Sequence, residues 1–163
     1  MSIQFQPISK KNIEEALDIY NWYVLNSVAT FHLAAVPAKE LERMVSLGHS
    51  KYQSFVIMWD DEICGFCYLS QFRYKEAYDK SAEITVYLEQ GFTGKGIGKQ
   101  TLIFLEKIAK EQQIENLVAV ITEGNEASIE LFKKRGYFKI GHLKNIGNKF
   151  GQSLDVLSFQ KEI

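Results

Sequence analysis

Between residues 81 and 113 the chain changes its hydrophobic period twice, and that change limits the possible fold more than any other stretch. "SAEITVYLE" alternates, with Ala82, Ile84, Val86 and Leu88 on one side and Glu83, Thr85 and Tyr87 on the other, the pattern of a half-buried strand. "GFTGKGIGKQ" follows at once, with glycines at 91, 94, 96 and 98. "KQTLIFLEKIAKEQQ" then carries Leu102, Leu105, Ile108 and Ala109 at helical spacing. A strand passed through a glycine turn into an amphipathic helix lays that helix back on a sheet. The pattern therefore predicts layered helices and strands, the α/β (α+β) class.

The rest of the chain fits one such domain, 1–163, with no repeat, linker or low-complexity stretch. "SIQFQPI" reads as a short strand, and Ser9 as the N-cap of a helix carrying Ile13, Leu17 and Tyr20. Pro37 and Gly48 bracket a second helix in "PAKELERMVSLG". "SFVIMW" and "EICGFCYLSQF" form a hairpin turning at Asp60-Asp61. "NLVAVIT" is a buried strand, and "NEASIELFKKRG" is a helix ending at Gly136. "YFKIGHLKNI" and "SLDVLSFQK" close the domain as a hairpin, giving a mixed sheet with helices on both faces.

Composition excludes several classes. With 19 basic and 20 acidic residues the formal net charge is −1, so the basic excess that nucleic-acid binding requires is missing. "MSIQFQPISKKNIEEAL" lacks a charged-then-apolar leader, and "FVIMW" is too short to span a bilayer. A cytoplasmic protein without membrane or nucleic-acid partners is expected. Cys64 and Cys67 form a C-x-x-C on a strand, where positions three apart face opposite ways, so they read as packed core residues.

The glycine loop is neither of the two familiar phosphate motifs. Ile97 stands where a Walker sequence needs Lys, and the G-x-G-x-G spacing from Gly94 is not the dinucleotide fingerprint. What remains is the general device: glycines let backbone N–H groups approach an anion, and the helix start adds partial positive charge. Lys95 and Lys99 reinforce it.

The order of elements, "TGKGIG", and "EGNEASIELFKKRGY" together resemble the GNAT superfamily of N-acetyltransferases. Thr93 stands where that family usually has Gln or Arg. Four longer stretches, "IYNWYVLNSVATF", "FRYKEAYDKSAEITVYL", "GKGIG" and "GHLKNIGNKFGQSLDV", are similar to the phosphinothricin acetyltransferase group nearly from end to end. The resemblance implies a single-domain GNAT fold: a mixed, mostly antiparallel sheet of about six or seven strands flanked by about four helices. It also implies acetyl-CoA as cosubstrate, a small amino-acid-like amine of the phosphinothricin, methionine sulfoximine or methionine sulfone type as acceptor, and a homodimer.

Site residues follow from the same resemblance. Val86, Tyr87 and Leu88 would offer backbone N–H groups where the sheet splays. Gly94, Lys95, Gly96, Ile97, Gly98 and Lys99 would hold the pyrophosphate, while Asn125 and Ser128 would lie along the pantetheine arm. A protonated amine cannot attack a thioester, so a base is needed, and Glu83 is the best-placed carboxylate. His142 is a second candidate, read either as site chemistry or as a structural residue. Phe132 stands where family members carry Tyr or His, and a phenyl ring cannot donate a proton to the leaving thiolate. An acceptor carboxylate calls for Arg73, Lys75 or Lys149, with Phe31, Tyr78 and Tyr87 as pocket walls or core. No His, Asp or Glu cluster in the sequence suggests a metal, and the chemistry requires none. Two alternatives stay open: a non-catalytic coenzyme A-binding or sensing module, and an acetyltransferase for another amine, including a protein terminus or lysine.

Overall fold

The central sheet has seven strands in the order β1-β2-β3-β4-β5-β7-β6. This computed structural model describes residues 2–163. The elements are β1 (Ile3–Pro7), α1 (Ile13–Asn26), α2 (Ala38–Met44), β2 (Ser54–Trp59), β3 (Glu62–Gln71), β4 (Ser81–Leu88), α3 (Ile97–Glu111), β5 (Asn116–Thr122), α4 (Glu126–Lys134), β6 (Phe138–Lys149) and β7 (Gln152–Glu162). Neighbouring strands run antiparallel except β4 and β5, which are parallel. The parallel β4–β5 step needs a crossover, and α3 supplies it.

Strand alternation divides the interior into two cores, one on each face of the sheet. Cys67, Leu69, Ala82, Ile84, Leu117 and Ala119 face α3, whose Leu102, Leu105 and Ala109 are fully buried against them. Val56, Phe66 and Tyr68 face the other way and pack on Ile13, Leu17 and Tyr20 of α1 and Leu41 of α2. β4 follows the predicted alternation: Val86 and Leu88 lean on the α3 core and Tyr87 on the α1 core.

Four local expectations are corrected. Ser9 does not cap α1; its N–H donates to Asn12 Oδ1 at 2.8 Å, closing a turn, and the helix starts only at Ile13. The second helix ends at Met44, short of Gly48, which instead closes the following turn with φ of 78°. α3 begins at Ile97, two residues before the predicted stretch that opens at Lys99, and Ile97 is wholly buried. Cys64 and Cys67 do not face opposite ways. The β2–β3 register shifts after Ile57, so a bulge turns Cys64 onto the same core as Cys67. Burial pushes the Cys64 thiol up to about 11 and Cys67 higher still, so neither is a reactive thiolate.

Candidate functional site

β4 and β5 are parallel partners only over Ser81–Glu83 and Asn116–Val118. Beyond that point Ile84 to Leu88 have no partner on the β5 side among the described residues, and the strands part around a cleft of about 530 Å³. Its walls are Ile84 to Leu88, Ala119 to Thr122 and the first turns of α3 and α4. The predicted Val86, Tyr87, Leu88, Gly94, Gly96, Gly98, Lys99, Asn125 and Ser128 all line it.

The glycine loop has a backbone geometry open to an anion. Gly94 and Gly96 have φ of 74° and 80°, a region that penalises a side chain. A Cβ at either would meet nothing within 4 Å, so the backbone faces open space. Among the described residues no side chain caps α3 at Gly96, and its first turn holds no acidic residue, leaving amide N–H groups for a ligand. Gly98 serves packing instead: a Cβ there would lie 2.9 Å from Leu131 Cδ2 of α4. Thr93 Oγ1 donates to Gln90 O at 3.2 Å and so braces the loop. Two predicted residues point elsewhere. Ile97 is in the core, and Lys95 Nζ lies 5.0 Å from the Phe92 ring centre and 5.9 Å from that of Trp59. Asn125 caps α4, its Oδ1 accepting from the Ser128 N–H at 3.3 Å.

Glu83 occupies the last position of β4 that pairs with β5, where the sheet opens. Burial pushes its carboxyl above the usual range, and the nearby Arg73 guanidinium pulls it partly back. Tyr68, opposite Thr85 on β3, shares this face. Arg73 itself lies in the exposed β3–β4 connection, its guanidinium 4.5 Å from the Phe72 ring centre. Lys75 and Tyr78 belong to the same connection, Tyr78 edge-on to Phe72.

The α1–α2 connection is tied down at the cleft end by contacts from across the chain. Thr122 Oγ1 donates to Val28 O at 2.7 Å, and Lys149 Nζ to Thr30 O at 2.8 Å. Phe31 lies so close over Gly147 that no Cβ would fit between them. Lys149 is 2% exposed and burial lowers its pKa, so it is occupied holding the loop. Tyr23 donates to Leu88 O at 2.5 Å, linking α1 to the end of β4.

His142 is drawn away from the cleft. Its Nε2 is 2.7 Å from Asp155 Oδ2, and Asp155 Oδ1 accepts from the Asn145 N–H, also at 2.7 Å, an arrangement that holds the Asp155 carboxyl low. Glu123 joins them, so three groups remote in sequence bring ligand-type atoms within 4.8 Å of one another. No sequence spacing announced that cluster. Phe132 lines the cleft from a buried position, edge-on to Tyr137 with ring centres 4.9 Å apart.

Residues 6–157 match the family model described as "Acetyltransferase (GNAT) domain". The chain is 28% identical to a phosphinothricin N-acetyltransferase of Streptomyces coelicolor, over 99% of this chain and 96% of that one. It is also 28% identical to an L-methionine sulfoximine/L-methionine sulfone acetyltransferase of Pseudomonas aeruginosa, over 98% and 94%. A Sinorhizobium meliloti phosphinothricin acetyltransferase crystallised with acetyl-CoA superposes with a TM-score of 0.93, at 28% identity, over 100% of this chain and 89% of that one.

Proposed function

The chain belongs to the GNAT acetyltransferase domain family. From that premise we propose that it is an acetyl-CoA-dependent enzyme that acetylates the amine of a small amino-acid-like acceptor, of the phosphinothricin, methionine sulfoximine or methionine sulfone type. One observation carries the acceptor class: β4 parts from β5 after Glu83, which leaves that carboxylate at the opening of the sheet, within the electrostatic reach of Arg73 in the β3–β4 connection. An α-amino acid bears its amine and carboxylate on one carbon, so a base beside a guanidinium matches it. The relatives named for such acceptors support the same class.

In this scheme the amides of Gly94 to Gly98 hold the pyrophosphate, and the free edge of β4 receives the pantetheine arm. Glu83 takes a proton from the ammonium, and the freed amine attacks the thioester carbonyl directly. N–H groups around Val86 to Leu88 meet the charge that develops on its oxygen. The C–S bond then breaks. Phe132 cannot protonate the leaving sulfur, so that proton comes from elsewhere. Lys149 is assigned to the loop rather than to the acceptor, and His142 to the β6–β7 hairpin.

The same proposal extends to a homodimer working in the cytoplasm. Ile140, Leu143 and Ile146 on the outermost strand β6 are 49–59% exposed, apolar surface at the sheet edge suited to a second copy. A protein terminus as acceptor is disfavoured because the α1–α2 connection is fastened at the cleft end.

Coenzyme A release across a panel of amino-acid analogues, polyamines and aminoglycosides tests the acceptor class. Turnover confined to the amino-acid analogues is the expected result. Turnover only with polyamines or aminoglycosides would overturn it, and acetyl-CoA binding without turnover on any amine would favour a sensing module.

A further inference from the structure

Acetyl transfer to an ammonium removes two protons from nitrogen. One is lost before attack, the other after the N–C bond forms; sulfur gains one, and one must reach solvent. Glu83 accounts for the first. The second needs an exit from a site whose walls are largely apolar.

On the α1 face of β4 a row of hydroxyls leads outward. Tyr87 lines the cleft, and its ring stands edge-on to that of Tyr20 with centres 5.5 Å apart, which brings its phenol within the influence of the Thr30 hydroxyl. Thr30 Oγ1 lies 2.6 Å from the Tyr20 hydroxyl, which lies 2.5 Å from His32 Nδ1. Tyr20 is 1% exposed, whereas His32 reaches the surface, with Nε2 3.8 Å from Glu40 Oε1. Glu40 is in turn paired with Arg43 at 2.5 Å. Buried hydroxyls this close must share their protons in an ordered direction. The single Tyr20 proton serves one neighbour at a time. When His32 Nδ1 is bare, Tyr20 donates to it and Thr30 donates to Tyr20, so every donor in the row points outward.

We propose that Tyr87, Thr30, Tyr20 and His32 form the proton outlet of the acceptor site. This rests on the acetyl-transfer function above. The nitrogen proton passes to Tyr87 as Tyr87 passes its own to Thr30, Thr30 to Tyr20, and Tyr20 to His32 Nδ1. No hydroxyl changes its charge, and His32 becomes an imidazolium. That cation releases a proton to solvent beside Glu40, and hydroxyl rotation with solvent exchange restores the outward direction. Tyr20 and Thr30 are positioning residues here, acting through their neighbours.

The test uses His32→Ala, at a half-exposed position where folding should survive, with Tyr20→Phe beside it. His32→Ala is expected to lower kcat at least about tenfold with both KM values little changed, within the range of acid–base effects. Added imidazole should restore it, and should not restore Tyr20→Phe. Unchanged kcat in His32→Ala, or a loss that imidazole does not repair, would overturn the outlet. Nitrogen-15 spectra of the His32 ring decide independently of turnover. A bare, hydrogen-bonded Nδ1 that loses its shift in Tyr20→Phe supports the row, and a neutral ring protonated at Nδ1 overturns it. Wild-type silence on every acceptor would count against the proposed function, while the ring spectra would still decide for or against the outlet.

Discussion

Glu83→Gln is the substitution in which activity and stability should move in opposite directions. The side chain sits where β4 loses its β5 partner, half-buried, with burial raising its pKa and Arg73 only partly offsetting that. Gln keeps the shape and removes the base. General-base catalysis contributes about 10²–10⁴-fold, which at 1.36 kcal/mol per decade is about 2.7–5.4 kcal/mol in the barrier. Coenzyme A release at saturating acetyl-CoA should fall by that factor, while calorimetric affinity for acetyl-CoA holds, since Glu83 is not among the residues lining the cofactor cleft. The stability sign follows from linkage. A carboxyl with a raised folded pKa is penalised in its charged form, so the native protein loses stability as pH rises from the unfolded pKa through the folded one. Glu83→Gln lacks that loss. It should therefore melt at or above the native protein at pH 8, with the difference vanishing below the unfolded carboxylate pKa. Turnover within about threefold of the native enzyme would refute the base assignment, since that is only about 0.6 kcal/mol. A variant less stable at pH 8 would refute the burial reasoning.

Removing Arg73 takes away the charge that holds the Glu83 pKa down, so in Arg73→Gln the acid limb of kcat/KM should move to higher pH and the acceptor KM should rise; an unmoved acid limb would show that the guanidinium does not act on Glu83. Gly96→Val puts a β-branched residue at φ of 80°, costing about 1–2 kcal/mol of stability, and should weaken acetyl-CoA at least about tenfold by filling the cradle; calorimetry retaining native affinity would remove the loop from cofactor binding. Lys149→Met leaves the Thr30 carbonyl without its buried donor, a cost of about 1–3 kcal/mol. The acceptor KM should rise while acetyl-CoA affinity holds, and a change confined to acetyl-CoA would contradict the assignment of Lys149 to the α1–α2 connection.

The glycine-loop end of the proposed site was legible in the sequence because backbone conformation dictates its geometry. Glycines at 94 and 96 are required by positive φ, and the switch from a two-residue to a helical period locates the strand end and the helix start to within two residues. The errors lie where a side chain had competing options. Ser9 had capping chemistry, but its own N–H is taken by Asn12 Oδ1 in a turn, and α1 starts after Asn12 with no side-chain cap there. The C-x-x-C geometry failed because a single-residue bulge reverses strand parity, and nothing in "EICGFCYLSQF" marks it except Gly65, where a Cβ would come 2.5 Å from Tyr87 O.

The proposed acceptor half was far less legible, because it is assembled from separations that no local pattern encodes. Thr30 and Lys149 meet across 119 residues, and Thr122 and Val28 across 94. Tyr20 reads as part of a core stripe with Ile13 and Leu17, and Tyr23 follows one turn on, yet both hydroxyls are directed: Tyr20 toward Thr30 and His32, Tyr23 onto Leu88 O. A phenol buries its ring for packing and still needs a partner for its oxygen, so a tyrosine on an apolar stripe carries information that a phenylalanine there would not. The parted strands turn that into function. Once β4 leaves β5 after Glu83, its α3 face stays in the aliphatic core, while Thr85 and Tyr87 on the other face meet Tyr20, Tyr68 and the tethered loop. On the proposed function, one strand thus carries its cofactor edge by main chain and its acceptor face by side chains. Substitutions of the acceptor-face hydroxyls should accordingly change acceptor kinetics and proton handling without changing acetyl-CoA affinity.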